Sequence, residues 1–156
     1  MTPDSLATLN LLLERATQER DRLAGELRRG EEVVRRARQQ GEQLTQYRGD
    51  YMQRWCQQFG RGGAIEIVHC YQSFMQRLDE AVAQQQGQID AADQGVAAMR
   101  KLLVQAELRV ASVKKLLERR QADARRREDR RDQRQTDETA QQLTRHRARH
   151  GAALQH

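Results

Sequence analysis

Apolar residues recur at alternating steps of three and four along most of the chain. In the first half these positions run from Leu6 to Gln58, and in the second half from Ile67 to Leu117. A heptad pattern held this long is typical of helices that bury one narrow seam in a coiled coil. Two consecutive steps of four, at Phe74-Leu78-Val82, predict that the supercoil unwinds locally. We therefore expect two long helices and no sheet.

A glycine-rich segment separates the two periodic stretches. Three glycines in Gly60-Arg61-Gly62-Gly63 disfavour helix and permit positive φ. The segment lacks the Lys-Ser/Thr pair of a phosphate-binding loop and follows no strand, so we interpret it as a plain turn. The prediction is helix 1 over about 4–58, a turn at 59–64 and helix 2 over about 65–145.

The point where the apolar pattern ends favours an antiparallel hairpin over a parallel dimer. If the chain reverses at the turn, Asp4 lies opposite Gln121, close to the end of the pattern at Leu117. The second helix thus loses its partner where its apolar seam fails. The predicted fold is all-α, a long antiparallel two-helix coiled-coil hairpin with an overhanging basic C-terminal helix. Residues 1–145 would form this single domain, and 146–156 a disordered tail.

The basic excess is concentrated in one segment. The chain has 28 Lys and Arg against 22 Asp and Glu, a net charge of +6, and Arg119–Arg134 holds eight arginines with four acids. Such a segment could be a solvated helix, could enter an acidic protein channel, or could meet nucleic acid or an anionic membrane. Nucleic acid is disfavoured because the segment has no aromatic interleaving and no known binding motif.

Several other classes of protein are disfavoured. No apolar run approaches the roughly 20 residues that span a bilayer, and the N-terminus lacks a signal-peptide pattern, which favours a cytoplasmic chain. Cys56, His69 and Cys70 fall near the turn, but a zinc site needs a fourth ligand and regular spacing. We therefore predict no metal and no cofactor. The sequence shows no catalytic triad or acid–base pair, so no enzymatic activity is predicted.

A candidate binding surface lies close to the turn, where all the aromatic residues of the chain occur. Gln40, Leu44, Tyr47 and Tyr51 follow one helical stripe, and Phe74, Leu78, Ala81 and Gln85 repeat the same spacing. The hairpin register pairs Tyr51 with Phe74, Tyr47 with Leu78, Leu44 with Ala81, and Gln40 with Gln85. Leu44, Tyr51, Phe74 and Leu78 are equally explained as seam residues. Tyr47 and Gln40 flank the seam and should be partly exposed, which suits an interface.

Three segments carry a family likeness. They are Tyr47-Arg48-x-x-Tyr51, Tyr71-Gln72-x-Phe74-x-x-Arg77-Leu78-Asp79-Glu80-Ala81, and Lys115-Leu116-Leu117-Glu118-Arg119-Arg120. Over about residues 4–135 the chain resembles the FliJ family of bacterial flagellar type III export. The stalk proteins of virulence injectisomes have the same shape and stay an alternative.

The resemblance implies a two-helix coiled coil similar to the γ stalk of rotary ATPases, located in the cytoplasm and peripherally at the inner membrane. It implies three partners: the hexameric export ATPase, the cytoplasmic domain of the export-gate membrane protein, and export substrate chaperones. The gate-binding residues it implies are Gln40, Leu44, Tyr47, Tyr51, Phe74, Leu78 and Ala81. Some relatives carry histidine in place of Gln85. For ATPase binding, the end that holds both termini provides Leu13, Arg20, Lys115, Arg119, Arg120 and Arg126.

Overall fold

The computed structural model describes residues 3–60 and 62–155, and it consists of two helices. Helix α1 spans Pro3–Phe59 and helix α2 spans Ile65–Ala153. The two helices pack against each other as an antiparallel hairpin, as predicted, and no strand occurs among the described residues. Three of the four predicted helix ends agree to within one residue.

The turn between the helices depends on glycine. Helix α1 closes with a hydrogen bond from the Gly60 backbone NH to the Cys56 carbonyl at 3.1 Å. Gly62 follows with a φ of 131°, a conformation that only glycine adopts at low cost. Helix α2 then begins with the Ile67 and Val68 NH groups donating to the Ala64 carbonyl. Arg61, part of the predicted turn, lies outside the described residues.

The chain divides into two units. The tip unit is Gln18–Glu107 and contains the turn. The terminal unit combines the residues up to Thr17 with those from Leu108 onward. Each unit contains part of α1 and part of α2, so each has its own share of the apolar seam.

The tip unit buries a narrow row of apolar side chains. The buried residues at predicted seam positions are Leu23, Val34, Leu78, Ile89, Val96 and Ala106. Met75 is also buried, at 8% exposure, although the periodic pattern did not include it. Tyr71, Met75, Leu78 and Val82 follow unbroken steps of four, three and four, so Met75 and not Phe74 holds the buried seam position. The predicted stutter resulted from placing Phe74 in the seam, whereas the structure leaves it half-buried beside Met75.

Close approach and ion pairs fix the register of the tip unit. A Cβ added at Gly41 would lie 3.1 Å from Cδ1 of Ile89, so the missing side chain lets α2 come close. Among the described residues, ion pairs join the helices at Arg38–Asp93 (3.0 Å), Arg48–Asp79 (2.5 Å) and Arg100–Glu31 (3.2 Å). Exposed pairs of this kind contribute at most about 1 kcal/mol each. Their main effect is therefore to select one alignment of the two helices.

Intrahelical pairs support the exposed face of α1. Arg35 donates to the Glu32 carboxylate at 2.6 Å and Arg36 donates to the same oxygen at 3.2 Å. The hydrogen bond from Arg35 lowers the pKa of the Glu32 carboxyl. These spacings of three and four are the ones at which helical side chains meet.

The terminal unit has a short core and a long exposed helix. Leu9, Ala16, Val110 and Leu117 are buried at predicted seam positions. From residue 125 to residue 155 every side chain is exposed. This confirms the predicted overhang of α2. The helix continues to Ala153, however, whereas the sequence predicted an end near 145 and a disordered tail at 146–156.

The composition of the tail accounts for this difference. The stretch from 140 to 153 is dominated by Ala, Arg, Gln and Leu, which are good helix formers. The expectation of disorder rested on its low apolar content. A low apolar content predicts the absence of a core, but a helix already formed by the packed part of α2 can extend through good helix formers, because propagation avoids the cost of nucleation.

Candidate docking site

An aromatic cluster joins α1 to α2 within the tip unit. The Tyr51 ring lies at its centre, 4.4 Å from the Phe74 ring, 6.1 Å from the Tyr71 ring and 6.5 Å from the Tyr47 ring, measured between centroids. All three distances fall within the range in which aromatic rings attract one another. The predicted pairing of Tyr51 with Phe74 is therefore present in the structure.

The cluster continues toward the turn through Trp55. Its ring stacks on Tyr71 at 4.4 Å with an interplanar angle of 17° and lies 4.6 Å from Phe59. Beyond this stack the seam stops, because Ile67 is 37% exposed although the pattern placed it in the seam. Its counterpart at the end of the α1 seam is Gln58, which is polar and exposed. The aromatic stack is thus the last apolar contact before the turn.

The predicted gate-binding residues differ in exposure. Tyr47 is 52% exposed and Gln40 is exposed, as expected for residues beside the seam. Leu44, Tyr51, Phe74 and Ala81 are half-buried. Leu78 is only 8% exposed and belongs to the core, so it can support a partner contact from beneath but offers little surface of its own. We call the six accessible residues the docking surface: Gln40, Leu44, Tyr47, Tyr51, Phe74 and Ala81.

Gln85 connects the two helices at one edge of the docking surface. Its Nε2 donates to the Ala37 carbonyl at 2.9 Å and lies 3.4 Å from Oε1 of Gln40. The Gln85 side chain is half-buried. Its amide group donates to the second lone pair of the Ala37 carbonyl, which already accepts a backbone hydrogen bond within α1. Gln85 therefore orients Gln40 and fixes the local register. This confirms the predicted proximity of Gln40 and Gln85.

The residues predicted to bind an ATPase are divided between the two units. Lys115, Arg119, Arg120 and Arg126 are exposed on α2 of the terminal unit, and Leu13 is half-buried on α1 of the same unit. Arg126 has an acidic neighbour, Asp123, at 3.9 Å.

Arg20 differs from the other five predicted ATPase-binding residues. It belongs to the tip unit, and its guanidinium pairs with Asp21 at 2.8 Å. The structure therefore brings together five of the six predicted residues on the terminal unit and leaves Arg20 outside it.

The described part of the chain shows neither a metal-ligand group nor a disulfide. Residues 3–60 and 62–155 contain no group of three or more His, Cys, Asp or Glu side chains arranged to hold a metal ion. Cys56 and Cys70 are both exposed and not bonded to each other. None of the described helices is long and apolar enough to cross a membrane.

The fold is an antiparallel helical hairpin with a partly exposed aromatic cluster close to its turn. A family model described as "Flagellar FliJ protein" matches residues 5–149, nearly the whole chain. The chain therefore belongs to the FliJ family and is associated with flagellar protein export. No curated protein and no solved structure matches it with significance.

Proposed function

We propose that the protein is a cytoplasmic component of the flagellar export apparatus that acts by binding and not by catalysis. In this proposal it docks on the cytoplasmic domain of the export-gate protein through the docking surface, and it binds the export ATPase ring through the terminal unit. It also escorts export chaperones and supports flagellum assembly at the inner membrane. The observation that carries the proposal is the aromatic cluster centred on Tyr51, with Tyr47 exposed at its edge.

The docking surface has the properties of an interface anchor. Tyr and Trp residues supply much of the binding energy at protein interfaces. Because Tyr51 is already packed between Phe74 and Tyr71, its ring loses little conformational freedom when a partner binds. Tyr47, at 52% exposure, still has apolar surface to bury. A rigid ring beside an accessible one favours a specific protein partner.

The terminal unit offers a different kind of contact. Its basic residues on α2 are exposed, and beyond residue 125 the helix is exposed on all sides. A single positively charged helix of this kind suits an acidic ring or channel, where complementary charge speeds association. Separate sites for the gate and the ATPase would let one protein connect the export-gate protein to the export ATPase.

Binding to the gate domain tests the proposal. We expect Tyr47→Ala to weaken binding of the full-length protein to the purified gate cytoplasmic domain by about tenfold, as for loss of an interface tyrosine. Leu108→Ala is the matched control, because Leu108 is 63% exposed but lies in the terminal unit. If the Tyr47 variant binds as tightly as the parent, the docking surface is wrongly assigned.

A further inference from the structure

An exposed valine lies in line with the docking surface on α1. Val33 is 57% exposed, although its neighbour Val34 is buried in the seam. Val33, Gln40 and Tyr47 are separated by seven residues each, so they share one line along a coiled-coil helix. Val33 thus places an apolar side chain one heptad farther from the turn than Gln40.

The surface between Val33 and Tyr51 is continuous and uncharged. Its residues follow steps of four and three: Val33, Ala37, Gln40, Leu44, Tyr47 and Tyr51. Ala37 is half-buried, and its carbonyl accepts the hydrogen bond from Gln85. On α2 the hairpin register continues the surface with Gln88 and Ala92, which are also uncharged. Arg36 borders this strip on the side away from Ala37, so the uncharged connection from Val33 to Gln40 runs through Ala37.

Charged residues mark both ends of the line that carries Val33. One heptad before Val33 stands Glu26, which is paired with Arg22 at 2.5 Å. One heptad after Tyr47 stands Arg54, which is exposed. The neighbouring position on α1 is also charged, since Glu32 binds Arg35 and Arg36. The uncharged strip therefore has defined limits and is not a general property of the helix surface.

The hairpin itself gives no reason for valine at this position. A β-branched residue is a weaker helix former than Ala, Leu, Glu or Lys. An exposed side chain also contributes little to the core. Other apolar side chains, such as Val104 and Leu108, are just as exposed, so exposure alone does not mark an interface. What distinguishes Val33 is its position on the line of Gln40 and Tyr47.

We propose that the contact with the gate cytoplasmic domain extends from the docking surface to Val33, which is buried against an apolar hollow of that domain. This inference rests on the proposed function and adds one heptad to the contact. The reason for choosing this occupant is continuity, because the strip runs without interruption into Gln40 and Tyr47. Sequence reasoning missed Val33, although its spacing from Gln40 and Tyr47 was visible.

A pair of matched valines tests the inference. Val104 is 54% exposed and also lies in the tip unit, so its exposure and residue type equal those of Val33. Leu102 lies a whole number of heptads after Phe74 and Ala81 and so shares their line along α2. Val104 is two residues farther, which turns it roughly 200° around the helix away from that line. We expect Val33→Asp to weaken binding of the full-length protein to the gate cytoplasmic domain by about tenfold. Val104→Asp should stay within about twofold of the parent.

Additional variants make each outcome decisive. Val33→Ala, which favours helix, should weaken binding by about threefold with no loss of helix content by circular dichroism. If Val33→Asp binds like the parent while Tyr47→Ala does not, the extension is wrong and the proposed function stands. If both valine variants weaken binding equally, the effect is nonspecific and the extension is again overturned. If Tyr47→Ala also binds normally, the docking surface on which the extension rests is itself wrongly assigned.

Discussion

The rings of Tyr51 and Phe74 lie 4.4 Å apart and connect the two helices of the hairpin. This contact does two things at once. It packs the two helices together, and it leaves both rings half-buried, so that they can take part in the proposed docking surface. Stability and binding should therefore respond differently to substitutions at Tyr51 and at its exposed neighbour Tyr47.

Tyr51→Ala should lower the free energy of unfolding by about 1–3 kcal/mol, because it removes partly buried area and its ring contacts. Tyr47→Ala should change it by less than about 0.5 kcal/mol, since the residue is exposed. Urea denaturation followed by circular dichroism measures both. If both variants lost the same free energy of unfolding, Tyr51 would not contribute more than Tyr47 to the stability of the hairpin, contrary to this prediction.

Two glycines in the middle of helices should differ in their response to alanine. A Cβ at Gly87 would meet nothing within 4 Å, so Gly87→Ala should raise stability by about 0.5–1 kcal/mol through helix propensity. A Cβ at Gly41 would lie 3.1 Å from Ile89 and force an adjustment in the seam. Gly41→Ala should therefore be less stable than Gly87→Ala. The reverse order in thermal unfolding would show that the helices are not closely packed at Gly41.

Charge reversal should separate the ATPase contact from the gate contact. The double variant Lys115→Glu with Arg119→Glu changes two exposed basic residues of the terminal unit. It should reduce stimulation of the export ATPase at least about fivefold, because favourable charges become repulsive. Gate binding should be unchanged.

The double variant Arg28→Glu with Arg29→Glu is the control for this experiment. It makes the same change in charge at two exposed positions of the tip unit. If both double variants lose stimulation equally, only net charge matters, and the terminal unit has no special role in ATPase binding.

Most of the hairpin could be predicted because its core is a single row of side chains with a regular spacing along each helix. A seam with a fixed period leaves a direct trace in sequence, and every buried apolar residue of the described chain except Met75 lies on that trace. Met75 was not predicted because the aromatic Phe74 was assigned to the seam, whereas the unbroken period runs through Tyr71, Met75 and Leu78. The helix at 146–153 was not predicted because it buries no apolar face, so no apolar pattern marks it in the sequence.

The candidate site was less predictable than the fold. Spacing placed Leu78 in the docking surface, but position on a stripe does not separate a buried residue from an accessible one. Val33 shows the converse. Its spacing from Gln40 and Tyr47 can be read from the sequence, but only the structure shows that its side chain is exposed. The family likeness supplied the kinds of partner, and the structure supplied which of the predicted residues a partner can reach.

A cross-linking experiment tests the antiparallel hairpin most directly. A Cβ at Gly30 would lie 3.3 Å from Cγ2 of Val96, so Gly30→Cys and Val96→Cys place two cysteines on facing helices in direct contact. The experiment uses the full-length chain with Cys56→Ser and Cys70→Ser, followed by mild oxidation and mass analysis without reductant. We expect a disulfide within one chain, at the mass of a monomer. A disulfide-linked dimer as the main product would contradict the antiparallel hairpin.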